Sequence, residues 1–213
     1  MRLMVLGATG GTGRQVVEQA VAAGHDVTVL ARDPARVPAG ERVSVIGGDV
    51  LTPGPWREAV AGHEAVLSCL GSTDRGHPTT VYSQGTANVI AAMRDSGVRR
   101  LLCLSSAGLD IPPGTPLGRR LVTRFVIQRL YRHGYADMRR MEAAVTAAHD
   151  IDWTIVRPPM LTDGPLTGRY RTAENAPLAK AGSISRADLA HYLLDHLTDE
   201  HNRHAVVEIA GGS

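Results

Sequence analysis

The apolar positions of this chain fall into short runs separated by longer stretches with a helical repeat. Arg2 to Leu6, Asp26 to Ala31, Val43 to Ile46, Ala65 to Leu70, Arg100 to Ser105, Asp152 to Arg157 and Ala205 to Ile209 read as strands. Several of them are almost continuously apolar rather than alternating, as strands covered on both faces are. Between them the spacing predicts helices from Thr12 to about Ala23, from Pro78 and Thr79 to Ser96, and from Arg186 to Leu197. Gly24 and Gly97 stand where a left-handed cap ends a helix, and Ser185 is the expected N-cap of the last one. Arg119 to Tyr131 and Asp137 to His149 read as a helical pair interrupted by Gly134. Strands alternating with helices predict an α/β fold, a doubly wound, mostly parallel sheet with helices on both faces.

The stretch from Arg157 to Ser185 breaks this rhythm. RPPMLTDGPLTGRYRTAENAPLAKAGS has no clear period, and a long irregular segment in a compact domain is usually a lid or binding loop. Residues 157–185 are therefore expected to cover the substrate. The 213 residues, with no linker or repeat, suit one domain that includes this segment.

Composition excludes several classes. A formal charge of +2 and the lack of a basic run argue against nucleic acid, and no segment has the roughly 20 apolar residues of a membrane span. The opening apolar run is shorter than a signal segment, and Cys69 and Cys103 sit in apolar runs that suit buried thiols. Both point to a cytoplasmic protein. Nothing has metal-ligand spacing, so no metal is expected. Lys180 is the only lysine in the chain, which matters for the chemistry below.

The first strand runs directly into LGATGGTGR. Gly7, Gly10 and Gly13 form a G-x-x-G-x-x-G pattern between a strand and a helix, so backbone N–H groups and the positive end of the helix can meet a phosphate closely. The loop of Gly7, Ala8, Thr9, Gly10, Gly11, Thr12 and Gly13 is thus the candidate pyrophosphate cradle of a Rossmann dinucleotide fold. After the second strand, Asp33 before Pro34 reads as the N-cap of a short helix, which leaves Arg32 facing the ribose with Arg36 one turn on. Two guanidiniums suit a 2′-phosphate, so NADP(H) is expected rather than NAD(H). Ligands in such sheets lie beyond the carboxyl ends of the strands. Asp49 and Val50 are accordingly expected beside the adenine, Leu70 and Gly71 after the fourth strand, and Ser105 and Ser106 near the nicotinamide ribose or the reacting centre.

GATGGTG, VLARDPARVP, GGDVL, PTTVYSQGTANVIAAM, SSAG, RPPMLTDGPLTGRY and ISRADLAHYLL together resemble, in order, the atypical short-chain dehydrogenase/reductases. Within these the chain is most similar to the biliverdin-IXβ reductase/flavin reductase type. The resemblance implies NADPH-dependent reduction of flavins, linear tetrapyrroles and related acceptors. It assigns the pyrophosphate to Gly7 and Thr9 through Gly13, and the 2′-phosphate to Arg32 and Arg36. Ser106, Pro158, Pro159, Met160 and Leu161 would border the nicotinamide and acceptor. Met160 stands where the family's reductase has a histidine, a departure that bears on tetrapyrrole reduction.

Ser106 and Tyr135 are the candidate catalytic residues. A short-chain dehydrogenase lowers the pKa of its tyrosine with a lysine four residues on; here Arg139 occupies that spacing after Tyr135, and arginine does not give up its proton. Oxidised flavins and quinones need little acid catalysis and fit best as small-molecule acceptors. Arg124 and Arg132 are candidates for steering an anionic acceptor such as FMN. Two other readings stay open: an NADP(H)-binding redox sensor without turnover, and a carbonyl reductase using Tyr135 and Arg139. A monomer or small homo-oligomer is expected.

Overall fold

A computed structural model describes residues 1–38, 40–72, 76–111, 117–122, 125 and 128–212, with the side chains at 119, 120 and 122 left undescribed. The strands are β1 Arg2–Leu6, β2 Asp26–Ala31, β3 Val43–Gly47, β4 Ala65–Ser68, β5 Arg100–Leu104, β6 Asp152–Arg157, β7 Met160–Thr162, β8 Tyr170–Glu174, β9 Ser183–Ser185 and β10 Ala205–Gly211. The helices are α1 Gly11–Ala22, α2 Ser83–Ser96, α3 Leu117–Val122, α4 Gln128–Leu130, α5 Arg132–Thr146 and α6 Arg186–Asp195. Eight strands form one sheet in the order β3-β2-β1-β4-β5-β6-β10-β8, in which only β8 is antiparallel; β7 and β9 pair separately. The strand order reverses beside β1, the switch point where such sheets bind their ligands. The seven expected strands are all present, with ends shifted by at most two residues.

Period two divides the buried side chains of β1 between two layers. Leu3 and Val5 join Val16 and Ala20 of α1 and Leu189 and Leu193 of α6, while Met4 and Leu6 join Val89 and Met93 of α2 and Met141 and Val145 of α5. Both faces of the sheet are therefore covered at its centre, which is why β1, β4 and β5 show so little alternation. Gly97 ends α2 in the left-handed conformation at φ 72°, as its position predicts.

Three expectations are corrected. Residues 157–185 are not irregular: they contain β7, β8 and β9, and β8 extends the main sheet by pairing with β10. Short strands interrupted by Gly and Pro carry too little periodicity to be seen in sequence. Gly134 does not interrupt a helical pair, because α5 runs through it from Arg132 to Thr146. Helix α2 starts at Ser83 rather than near Pro78.

The late start of α2 has a tertiary cause. No described side chain of its own caps it; the buried carboxylate of Asp137, on α5, accepts from Tyr82 N at 2.9 Å, from Ser83 N at 3.3 Å and from the Ser83 hydroxyl. Arg140 Nη2 lies 3.0 Å from the same carboxylate and balances its charge. A helix end that must be buried is satisfied here by the neighbouring helix. A second buried carboxylate, Asp188 in the first turn of α6, accepts from Thr167 N at 2.7 Å, Gly168 N at 2.9 Å and Thr167 Oγ1 at 2.9 Å, while Ser185 Oγ caps α6 by accepting from Asp188 N. PLTG and ISRADL are thus two halves of one turn. Arg100, also buried, donates to the carbonyls of Leu197, Asp152 and His196 at 2.8–2.9 Å and to Thr154 Oγ1 at 2.8 Å. Burial first, and Arg203 second, bring its guanidinium down to about 10.

Replacing Asp137 with Ala should cost about 2–3 kcal/mol of unfolding free energy, because several buried donors lose a charged acceptor; urea titration measures it, and an unchanged midpoint contradicts the cap. Burial opposes the charge on Asp188, but the donors from Thr167, Gly168 and Ser185 outweigh it and hold its carboxyl below 3.8. A lowered carboxyl stabilises the fold above its unfolded pKa and loses that contribution as pH falls through the folded value. Asp188→Asn should therefore cost about 1–2 kcal/mol at neutral pH and flatten the acid fall in stability below pH 3.8, as read by thermal melts across pH.

Candidate functional site

At the carboxyl end of β1 the chain turns with almost no side-chain bulk. Gly7 has φ 74°, and a Cβ there would stand 2.2 Å from the carbonyl oxygen of Cys69 at the end of β4. At Gly13 a Cβ would stand 2.2 Å from the carbonyl oxygen of Gly7. Glycine is required at both places, since main-chain atoms block any side chain. Gly10 N donates to Gly7 O at 3.0 Å to close the turn, and α1 begins at Gly11. Ala8, Thr12 and Gly13 are buried, whereas Gly10 and Gly11 are exposed and Thr9 is half-buried. Among the described residues no side chain caps α1, and its first turn carries no acid. Its N–H groups are left to an acceptor from outside, which fits the diphosphate of a dinucleotide.

Arg32 and Arg36 follow β2, and both are exposed. Asp33 caps the short turn Pro34–Arg36 by accepting from Ala35 N at 3.2 Å, as read from the sequence. Its carboxylate is thereby occupied, and no ion pair joins either arginine to a described residue. Asp49 accepts from Leu51 N at 2.9 Å, and buried Val50 gives its carbonyl to Asn88 Nδ2 at 2.7 Å while its side chain packs at Gly85. After β4, Leu70 and Gly71 lead to Ser72, whose N donates to the Tyr82 hydroxyl at 3.0 Å. Cys69 and Cys103 are free and buried; burial raises both thiols, Cys69 to about 12.

The ends of β5 and β6 meet beside this shelf. Ser105 N donates to Val156 O at 2.8 Å and Ala107 N to Pro158 O at 3.0 Å, which brings Ser105 and Ser106 alongside Pro158 and Pro159. Ser105 Oγ is buried with no partner among the described residues. Met160 opens β7 with 69% of its surface exposed. Ser106 Oγ accepts from Gly108 N at 3.1 Å, and the Tyr135 hydroxyl lies beside it: a Cβ at Gly108 would stand 3.3 Å from Ser106 Oγ and 2.3 Å from Tyr135 Oη. The structure therefore joins the two candidate catalytic residues, although the sequence spacing gave no sign of a pair. Gly108 makes room for it.

Burial raises the Tyr135 phenol, an effect Ser106 partly offsets and Tyr131 reinforces. The two tyrosine rings stack at 5.7 Å. Arg139 does not serve as the missing lysine, since its guanidinium donates to the Leu109 carbonyl and lies 3.9 Å from Asp110. Arg157 fixes the surroundings by donating to Glu142 at 2.8 and 2.5 Å and to Asp110 at 2.9 Å. Among the steering candidates, Arg132 is exposed on α5, and Arg124 lies outside the described residues. No helix among the described residues is long and apolar enough to cross a membrane.

A family model described as NAD(P)H-binding matches residues 7–200. An uncharacterised chloroplastic protein of Arabidopsis thaliana is 30% identical over 98% of this chain and 76% of its own length. Two other curated relatives are longer, and the chain spans 41% and 54% of them. A short-chain dehydrogenase/reductase from Veillonella parvula, solved in complex with NADP, superposes over 100% of this chain and 95% of its own with a TM-score of 0.82 at 20% identity. A Streptococcus pneumoniae protein named as a candidate NADH-flavin reductase does so over 100% of both chains with a TM-score of 0.79 at 23% identity. With the glycine shelf at the switch point of a Rossmann-like sheet and a family model that matches most of the chain, the chain belongs to the NAD(P)H-binding family.

Proposed function

We propose that the protein is an NADPH-dependent reductase of a flavin-like or quinone-like acceptor. The observation that carries this reading is the uncapped glycine shelf at the start of α1, with the exposed guanidiniums of Arg32 and Arg36 just past β2. A diphosphate suits the first and a 2′-phosphate the second. The dinucleotide, when bound, supplies the hydride. The chain holds its phosphates at Gly7–Gly13 and at Arg32 and Arg36. Val50 and Leu70 flank its course, and Ser106, Pro158 and Met160 border the acceptor. Exposed Met160 presents an apolar surface where a histidine would favour a tetrapyrrole, so a flat apolar acceptor fits better.

Proton supply separates this reading from its rival. The raised Tyr135 phenol stays protonated at neutral pH and has no lysine beside it, so it is not tuned to exchange a proton rapidly. Reduced flavins and quinols take their proton from water and do not need it. The nearness of the Ser106 and Tyr135 hydroxyls nevertheless favours one second reading, a carbonyl reductase in which this pair acts on the carbonyl oxygen.

In calorimetry NADPH should bind more tightly than NADH. Replacing Arg32 and Arg36 together with Ala should weaken NADPH by about tenfold or more while leaving NADH within about twofold. Tighter binding of NADH by the parent protein overturns the 2′-phosphate assignment. NADPH oxidation should accelerate with FMN, riboflavin or a quinone, and Tyr135→Phe should leave that rate within about threefold; a loss of about a hundredfold would make Tyr135 the proton donor and favour carbonyl reduction. Tight binding with no accelerating acceptor would point instead to a redox sensor.

A further inference from the structure

Arg186, the first residue of α6, has no part in the site described so far. Its side chain runs toward α1 and lies on Gly11: a Cβ at Gly11 would stand 2.6 Å from Arg186 Cδ and 2.7 Å from Nε. The three atoms nearest that position all belong to Arg186. Gly7 and Gly13 lack side chains to let main chain meet main chain, but Gly11 lacks one to let an arginine pass. The guanidinium reaches Asp163 in the loop after β7, with Nη1 2.6 Å from Oδ1. The two partners differ in setting, since the Arg186 side chain is 28% exposed and that of Asp163 is 91% exposed. A cation thus overlies the uncapped end of α1, and its counterion stands in water.

We propose that Arg186 grips the diphosphate of the bound dinucleotide, and that Asp163 holds the same guanidinium when no dinucleotide is present. The inference rests on the dinucleotide reading above. An ion pair with one partner in water is weak, whereas a guanidinium fork on phosphate oxygens, beside the positive end of a helix, forms strong charge-assisted bonds. Exchange of the carboxylate for phosphate is therefore downhill. Asp163 needs no rearrangement of the core to leave, because it makes no other described hydrogen bond. Asp163 and the diphosphate compete for one cation, so the carboxylate lowers the affinity that the shelf alone would give.

Two ligands separate this role from that of Arg32 and Arg36. NADPH carries both the diphosphate and the 2′-phosphate, and 2′-AMP carries only the latter. By calorimetry, Arg186→Ala should weaken NADPH by about tenfold or more and leave 2′-AMP unchanged, the size expected for loss of a charged fork. Arg186→Lys should recover part of the loss. Asp163→Asn should tighten NADPH by up to about fivefold, the upper range of a surface ion pair. The proposal falls if Arg186→Ala leaves NADPH binding unchanged. It falls equally if that variant weakens NADPH and 2′-AMP alike, because the effect is then a distortion of the fold. A parent protein that binds neither ligand overturns the dinucleotide reading itself, and this inference with it.

Discussion

Main chain against main chain, at the carboxyl end of β1, is the contact on which the rest depends. Gly7 rests on the Cys69 carbonyl and Gly13 on the Gly7 carbonyl, so β1, β4 and the start of α1 converge with no side chain between them. A methyl group at either glycine would enter a space already occupied by an oxygen atom. The backbone would have to move, and with it the distance between α1 and the sheet. This tight crossing aims the first N–H groups of α1 past the strand ends at the point where the strand order reverses. The shelf is thus a consequence of backbone packing.

Buried charge fixes what surrounds the shelf. Asp137 and Asp188 each satisfy donors from a segment distant in sequence, and Arg157 ties β6 to α5 and to the turn that follows Ser106. Unpaired, any of these groups would cost more than its hydrogen bonds return, so each specifies one arrangement of its two segments. The joint result is positional. The α5 helix that carries Tyr135 is fastened at Asp137 to α2 and at Glu142 to β6, and the phenol arrives at Ser106 without any local sequence signal for the pair.

The legible parts of the chain were those governed by local rules. Apolar runs located the seven strands, glycine located the shelf and the end of α2, and Asp33 and Ser185 announced their caps because a cap needs only the next few residues. What stayed hidden depends on partners far along the chain. The β8 strand is YRTAE, polar and exposed at the sheet edge, and only its pairing with β10 makes it a strand. Gly134 reads as a breaker, yet it sits early in α5, where the contacts of Met141 and Val145 further along outweigh one glycine. Arg186 reads as an ordinary first-turn residue, and its approach to Gly11 follows only from the packing of α6 on α1.

The composition of the chain also narrows its chemistry. With Lys180 the only lysine and located in the loop before β9, no ammonium can stand beside Tyr135 to draw its proton toward release. Arg139 does not take its place, because its guanidinium is already bonded to the Leu109 carbonyl and lies near Asp110. Burial raises the phenol, so the group available at Ser106 is a neutral hydrogen-bond donor rather than a poised acid-base pair. Such a donor can orient a carbonyl or ring oxygen, but it lends little to a step whose barrier lies in proton transfer. For the proposed reductase, a site built this way favours acceptors for which hydride transfer is the hard step and protonation is left to water.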